Sequence, residues 1–179
     1  MKKRVLFLFV ICASLALLSS VAFAQTSQDS VVIHPLYWDD SQTVYSNQEI
    51  IFVMGWAACR KGLVQDYLTA VNFIFTLDGQ PLFGSKSETN QFWGPVTQIP
   101  APAGADACVG KTPETIWRAG WEYSLGELPA GDHPVYFANR LDHPVVDGGD
   151  YDGDGSPDLF YGITNEREFT IHVEDPAGE

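Results

Sequence analysis

Residues 69–82, TAVNFIFTLDGQPL, decide the fold class. Val71, Phe73 and Phe75 fall on one side, and Asn72, Ile74 and Thr76 on the other. Successive side chains of a strand point to opposite faces, so a period of two is strand periodicity. Asp78-Gly79 then offers a tight turn with positive φ available, and Gln80 to Phe83 starts a return strand. Upstream, residues 47–59, NQEIIFVMGWAAC, alternate Ile50, Phe52, Met54 and Trp56 with Ile51, Val53 and Gly55. Both faces are apolar, which predicts a central strand ending near Cys59. Val31-Val32-Ile33, just before Pro35, predicts an edge strand. Residues 60–68, RKGLVQDYL, fit either a helical turn or a connecting loop.

Downstream, Pro95, Pro100, Pro102 and Pro113 exclude a helix over residues 91–113, because an interior proline removes a donor and clashes with the preceding turn. Regular structure resumes at TIWRAGWEYSL, residues 115–125, a strand rich in aromatics. Leu128 to Gly131 form a turn. Val135, Phe137 and Leu141 then alternate with Tyr136 and Ala138, and Phe169, Ile171 and Val173 share one face of a last strand. No stretch has a clear helical period. Six to eight short strands with turns between them predict an all-β fold, a sandwich of two sheets.

Residues 121–138, WEYSLGELPAGDHPVYFA, resemble the strand–turn–strand crossing of bacterial immunoglobulin-like and fibronectin-III-like domains, and FTLDGQPL resembles their Asp-Gly hairpin. The pattern extends over residues 45–175, although the specific motifs span only about thirty residues. The resemblance implies an immunoglobulin-like β-sandwich over residues 25–179. One feature departs from it. The cysteines do not fall on the two core strands of an antibody domain, so that family's inter-sheet disulfide is not carried over.

The N-terminus has the form of an export signal: basic Lys2, Lys3 and Arg4, an apolar run from Val5 to Leu18, and Ala22-Phe23-Ala24 as the cleavage site. Residues 1–24 are therefore expected to be removed, with no membrane insertion afterwards and a destination outside the cell or at its surface. Cys12 goes with that segment. Cys59 and Cys108 remain, and in an exported chain an even pair predicts a disulfide. It would tie the long proline-rich loop to the end of the Cys59 strand. The whole chain carries 23 acidic and 10 basic residues, a net charge of −13, and cleavage would lower this to −16. Nucleic acid and anionic membrane are excluded as partners, since both require clustered Lys and Arg. Cations are favoured.

Those acids concentrate in residues 147–162, DGGDYDGDGSPDLFYG, between the last two predicted strands. With Asp150 as position 1, Asp152, Asp154, Gly155, Ser156 and Asp158 occupy positions 3, 5, 6, 7 and 9. This is the front of a calcium loop. Calcium takes six to eight hard oxygens, and alternate residues of a curled loop can aim side chains inward. Gly155 permits the sharp turn, and the carbonyl of Ser156 can ligate. The run resembles the calcium loops of dockerins, thrombospondin type 3 repeats and FG-GAP blades. That resemblance implies Asp150, Asp152, Asp154 and Asp158 as side-chain ligands. Position 12 is Tyr161 rather than a bidentate Glu, so either Asp147, Asp142 or water completes the site, or the site is weaker.

No G-x-S-x-G, H-E-x-x-H or phosphate loop occurs, and the four histidines lack zinc spacing. The chain is expected not to be an enzyme. The leading reading is a secreted, calcium-binding, non-catalytic module, structural or adhesive, with a glycan or another cell-surface protein as partner. The alternative is a calcium-dependent carbohydrate-binding module stacking sugars on Trp38, Trp93 or neighbouring aromatics, in loop-like sequence beside Tyr37 and Phe92. An extracellular hydrolase ranks third.

Overall fold

The computed structural model describes residues 30–102, 108–110 and 112–176. The export segment expected at residues 1–24 lies outside them. Within the described residues the strands are β1 (Val31–Ile33), β2 (Thr43–Tyr45), β3 (Ile50–Ala58), β4 (Val71–Leu77), β5 (Gln80–Pro81), β6 (Thr97–Pro100), β7 (Thr115–Gly126), β8 (Gly131–Val146) and β9 (Leu159–Glu174). Helix α1 (Lys61–Ala70) stands between β3 and β4, and α2 (Lys86–Asn90) between β5 and β6. The protein is β-rich, with two mixed sheets. One has the order β1-β3-β7-β6 and the other β2-β9-β8-β4-β5. Each combines antiparallel ladders with one parallel pair, β1 with β3 and β2 with β9.

The period-two segments form the strands they predict. Ile50, Phe52 and Met54 of β3 are buried, while Ile51 and Val53 on the other face are half-buried. Val71, Phe73 and Phe75 of β4 are buried in the same way. At the turn after β4, Asp78 and Gly79 both take positive φ, 54° and 74°, which matches the twist of a two-residue hairpin. The inward faces of both sheets contribute to one core. Phe52 of β3 meets Phe75 of β4 with ring centroids 4.9 Å apart, and Trp121 of β7 packs edge-on against Phe73 of β4 at 5.2 Å.

Of the two alternatives at residues 60–68 the chain adopts the helical one, as α1, and α2 adds a helix where none is expected. α1 buries Val64, Tyr67 and Ala70, a spacing of three residues along one face. The Tyr67 ring stacks on Trp56 at 4.0 Å, and its hydroxyl accepts a hydrogen bond from the Asn139 side-chain amide at 2.9 Å. The start of the helix carries no signal, because Arg60 at its N-cap makes no side-chain capping bond. α2 lies just ahead of the proline-rich stretch. Glu88 reaches back to accept from the Gly84 N–H at 2.8 Å. Inside that stretch, β6 adds an edge strand to β7.

His133 joins two turns. Its Nδ1 is 2.9 Å from the Asp78 carboxylate, and its Nε2 is 2.8 Å from the Pro129 carbonyl. Burial favours the neutral ring. The Asp78 hydrogen bond, the Pro129 carbonyl and the charges of Asp78 and Asp132 outweigh it and raise the pKa above the ordinary 6.5. A raised pKa gives stability that is fully present below pH 6.5 and is lost as pH rises through the folded-state value. The expected effect is small, because Asp78 is half exposed and water screens the pair. His133→Gln should therefore narrow the difference in melting temperature between pH 5.5 and pH 8.5. An unchanged difference would remove His133 as its source.

Candidate metal centre

β8 and β9 form one antiparallel hairpin whose last ladder pair before the loop is Val146 with Leu159. Residues 147–158 are the loop. Its foot is buried and built from backbone bonds. The Cys59 N–H donates to the Asp147 carbonyl at 3.0 Å, the Val109 N–H to the Gly148 carbonyl at 2.8 Å, and the Asp158 N–H to the Gly149 carbonyl at 2.8 Å. Cys59 and Cys108 are paired, with Cα atoms 5.4 Å apart. The predicted tie between the end of β3 and the long loop is present. Its position against the foot of the acidic loop is new, since sequence spacing gave no sign that residues 59, 109 and 148 would meet.

The Asp147 carboxylate is only 6% exposed. One oxygen accepts the Gly149 N–H at 2.7 Å and the other the Tyr151 hydroxyl at 2.7 Å. A Cβ on Gly149 would lie 2.7 Å from the Tyr151 ring, so that position has no room for a side chain. Asp147 thus organises the foot of the loop, and it is not among the carboxylates that converge above it. Asp142 is also engaged elsewhere, 2.9 Å from the Lys86 ammonium. Tyr161, at position 12, points into solvent from β9.

Above the foot the chain curls around Asp150. Its two oxygens accept the N–H groups of Gly153 (2.7 Å), Asp154 (3.1 Å) and Gly155 (2.9 Å). Gly153 and Gly155 take φ of 78° and 86°, a conformation glycine enters without steric cost. Asp158 accepts the Tyr151 N–H, closing the ring from the far side. The outcome is that Asp150, Asp152 and Asp158 each present a carboxylate oxygen within 4.8 Å of the others. Asp154 lies outside that group. Its Oδ1 instead accepts the Ser156 N–H at 2.7 Å.

The triad fits a calcium ion. Ligands at 2.3–2.6 Å from one cation lie at most about 5 Å apart, and these oxygens satisfy that limit. Among the described residues none of the three carboxylates forms an ion pair with Lys or Arg. Like charges held this close without a cation repel one another.

The aromatic platform expected at Trp38 and Trp93 is not exposed. Trp38 is 5% exposed, and its indole N–H donates to the Thr170 carbonyl at 3.2 Å, because residues 34–41 fold over β9. Trp93 is partly buried against Tyr67 and Phe73 and bridges to Trp121. His143, close to the acidic loop in sequence, pairs with Asp66 of α1 at 3.1 Å. No helix among the described residues is long and apolar enough to cross a membrane. A scan against protein-family models, a search of curated proteins and a search of solved structures each find no match to this chain.

Proposed function

We propose that this chain is a secreted, non-catalytic module of the immunoglobulin-like β-sandwich type, whose acidic hairpin loop holds a structural calcium ion. The observation that carries the reading is the convergence of Asp150, Asp152 and Asp158 with no basic partner among the described residues. Asp150, Asp152 and Asp158 would hold the ion, with water completing the sphere, since Asp142 and Asp147 are not among the converging carboxylates. When bound, the ion supplies charge neutralisation. The loop's own residues do the rest: Asp150 gathers three N–H groups, and Asp147 fixes the foot. The shared core of the two sheets supports the sandwich, and the Cys59–Cys108 pair supports an oxidising, extracellular setting. A structural or adhesive role at the cell surface suits such a module. The carbohydrate-binding reading loses Trp38, which is buried, keeps Trp93 only in part and falls back on a neighbour such as the exposed Tyr37, and among the described residues no pair of carboxylates is singled out for hydrolysis.

Thermal melting tests it. At calcium one hundred times its dissociation constant the folded state gains about 2.7 kcal/mol. In a domain of this size that raises the melting temperature by about 5–10 °C. The rise should disappear with chelator and in the variant Asp150→Asn/Asp152→Asn. Magnesium, which gives up its water reluctantly, should shift it far less. Superimposable melting curves with millimolar calcium and with chelator would end the calcium reading.

A further inference from the structure

β9 has two edges, and along most of its length only one is used. β8 pairs with it from Leu159 to Val173, whereas β2 meets it only at His172–Glu174. The segment ahead of β2 extends the cover slightly, through the Arg167 guanidinium on the Leu36 carbonyl and the Trp38 indole on the Thr170 carbonyl. Among the described residues no strand pairs with the outer edge from Leu159 to Glu166. An open edge is a row of unpaired N–H and C=O groups, a template for another strand. Protein edges are commonly blunted by lysine, proline, inward charge or a bulge. Residues 159–165, LFYGITN, carry no lysine, proline or charge. The strand does bend there, since Gly162 takes φ 73° and the ladder to β8 shifts register on both sides of it, but β8 pairs with residues on either side of each shift. Leu159, Tyr161 and Ile163 stand out on one face, 66%, 63% and 53% exposed.

We propose that this edge docks an extended cationic segment of another protein by strand addition, apolar at alternate positions and flanked by Lys or Arg. Charge selects the occupant. Asp152, Asp154 and Asp158 lie at one end of the apolar row, and Glu166 and Glu168 at the other. A cation does stand beside the row, Arg140 opposite Ile163, but it lies 4.0 Å from Asp142. A second copy pairing antiparallel about Tyr161 would bring each acidic loop onto the other's Glu166 and Glu168. A parallel copy would set loop beside loop. Both place like charge on like charge, in a chain whose net charge is already −13. Basic flanks turn both ends into attraction, and the backbone ladder with Leu159, Tyr161 and Ile163 supplies the middle.

The test uses two fluorescein-labelled peptides, Lys-Lys-Val-Thr-Val-Thr-Val-Lys-Lys and the same peptide with Glu in place of Lys. Each is titrated with the protein by fluorescence anisotropy in chelator, so the outcome does not depend on the calcium reading. The lysine peptide should bind, and salt should weaken it. The glutamate peptide, and the lysine peptide on the variant Tyr161→Lys/Ile163→Lys, should each bind at least about tenfold more weakly. Both substituted positions are exposed, so the variant's unfolding curve should match that of the parent. Equal affinity for the two peptides, unchanged affinity in the variant, or no binding up to about 1 mM would overturn the proposal. Reversible dimerisation in sedimentation that the variant abolishes would overturn it in favour of a second copy.

Discussion

Trp121→Ala is expected to lower the unfolding free energy by about 4–5 kcal/mol, the upper end for loss of a large buried aromatic. Trp121 is 1% exposed in the middle of β7, opposite Met54 of β3. Its ring stacks on Phe75 at 5.9 Å and meets Phe73 edge-on, so it reaches from one sheet into the other. Its indole N–H also donates to the Thr89 carbonyl at 2.7 Å, in a buried setting. Alanine would leave a cavity between the sheets and remove the shorter of the bonds to the Thr89 carbonyl, which keeps the Phe92 N–H at 3.3 Å. Trp121→Phe separates the two losses. It retains most of the apolar area and should cost about 1–3 kcal/mol, part of it from the lost indole hydrogen bond. Trp117, partly exposed with the Lys61 ammonium over its ring at 5.6 Å, serves as the control, and its alanine variant should cost much less. Denaturant titration gives the comparison. If Trp121→Ala and Trp117→Ala were equally damaging, the core would not be keyed by Trp121.

The contrast between those two tryptophans marks where sequence reasoning stops. Alternation along β3 and β4, and the Asp78-Gly79 turn, are local properties, and they are legible because strand period and turn chemistry are local. Trp38 differs. Its neighbours read as a loop, yet its burial is set by Thr170, 132 residues away. Helix α1 is hidden for a related reason. Three buried positions and no cap make a weak pattern, and what holds the helix is Tyr67 against Trp56 and Asn139. The acidic loop divides the same way. The spacing of Asp150, Asp152 and Asp158 follows from the curl of one short segment, and their convergence could be anticipated. Asp147 could not be assigned from spacing, because its role depends on the Tyr151 ring and on the cystine beneath it.

That cystine carries the other large effect. Cys59 and Cys108 are 49 residues apart, and closing a loop of that length should stabilise the fold by about 4 kcal/mol in the chain-entropy model. Cys59→Ala/Cys108→Ala should then melt about 8–16 °C lower than the parent. If the constraint acted only on the unfolded chain, the folded molecule would be unchanged. The geometry predicts more. Cys59 and Val109, next to Cys108, are the residues whose N–H groups hold the Asp147 and Gly148 carbonyls. Releasing the pair frees the long loop to carry Val109 away, and the foot of the acidic hairpin loses one of its two outside anchors. Amide exchange under native conditions distinguishes the two effects. In the double variant the Val109, Gly149 and Asp158 amides should exchange by local opening, faster than the lowered global stability requires. The β4 amides should follow global stability alone. A uniform rise across all of these amides would assign the disulfide to the unfolded state only. A selective rise at the foot would mean that the oxidised pair also holds the acidic loop in the shape that brings its carboxylates together.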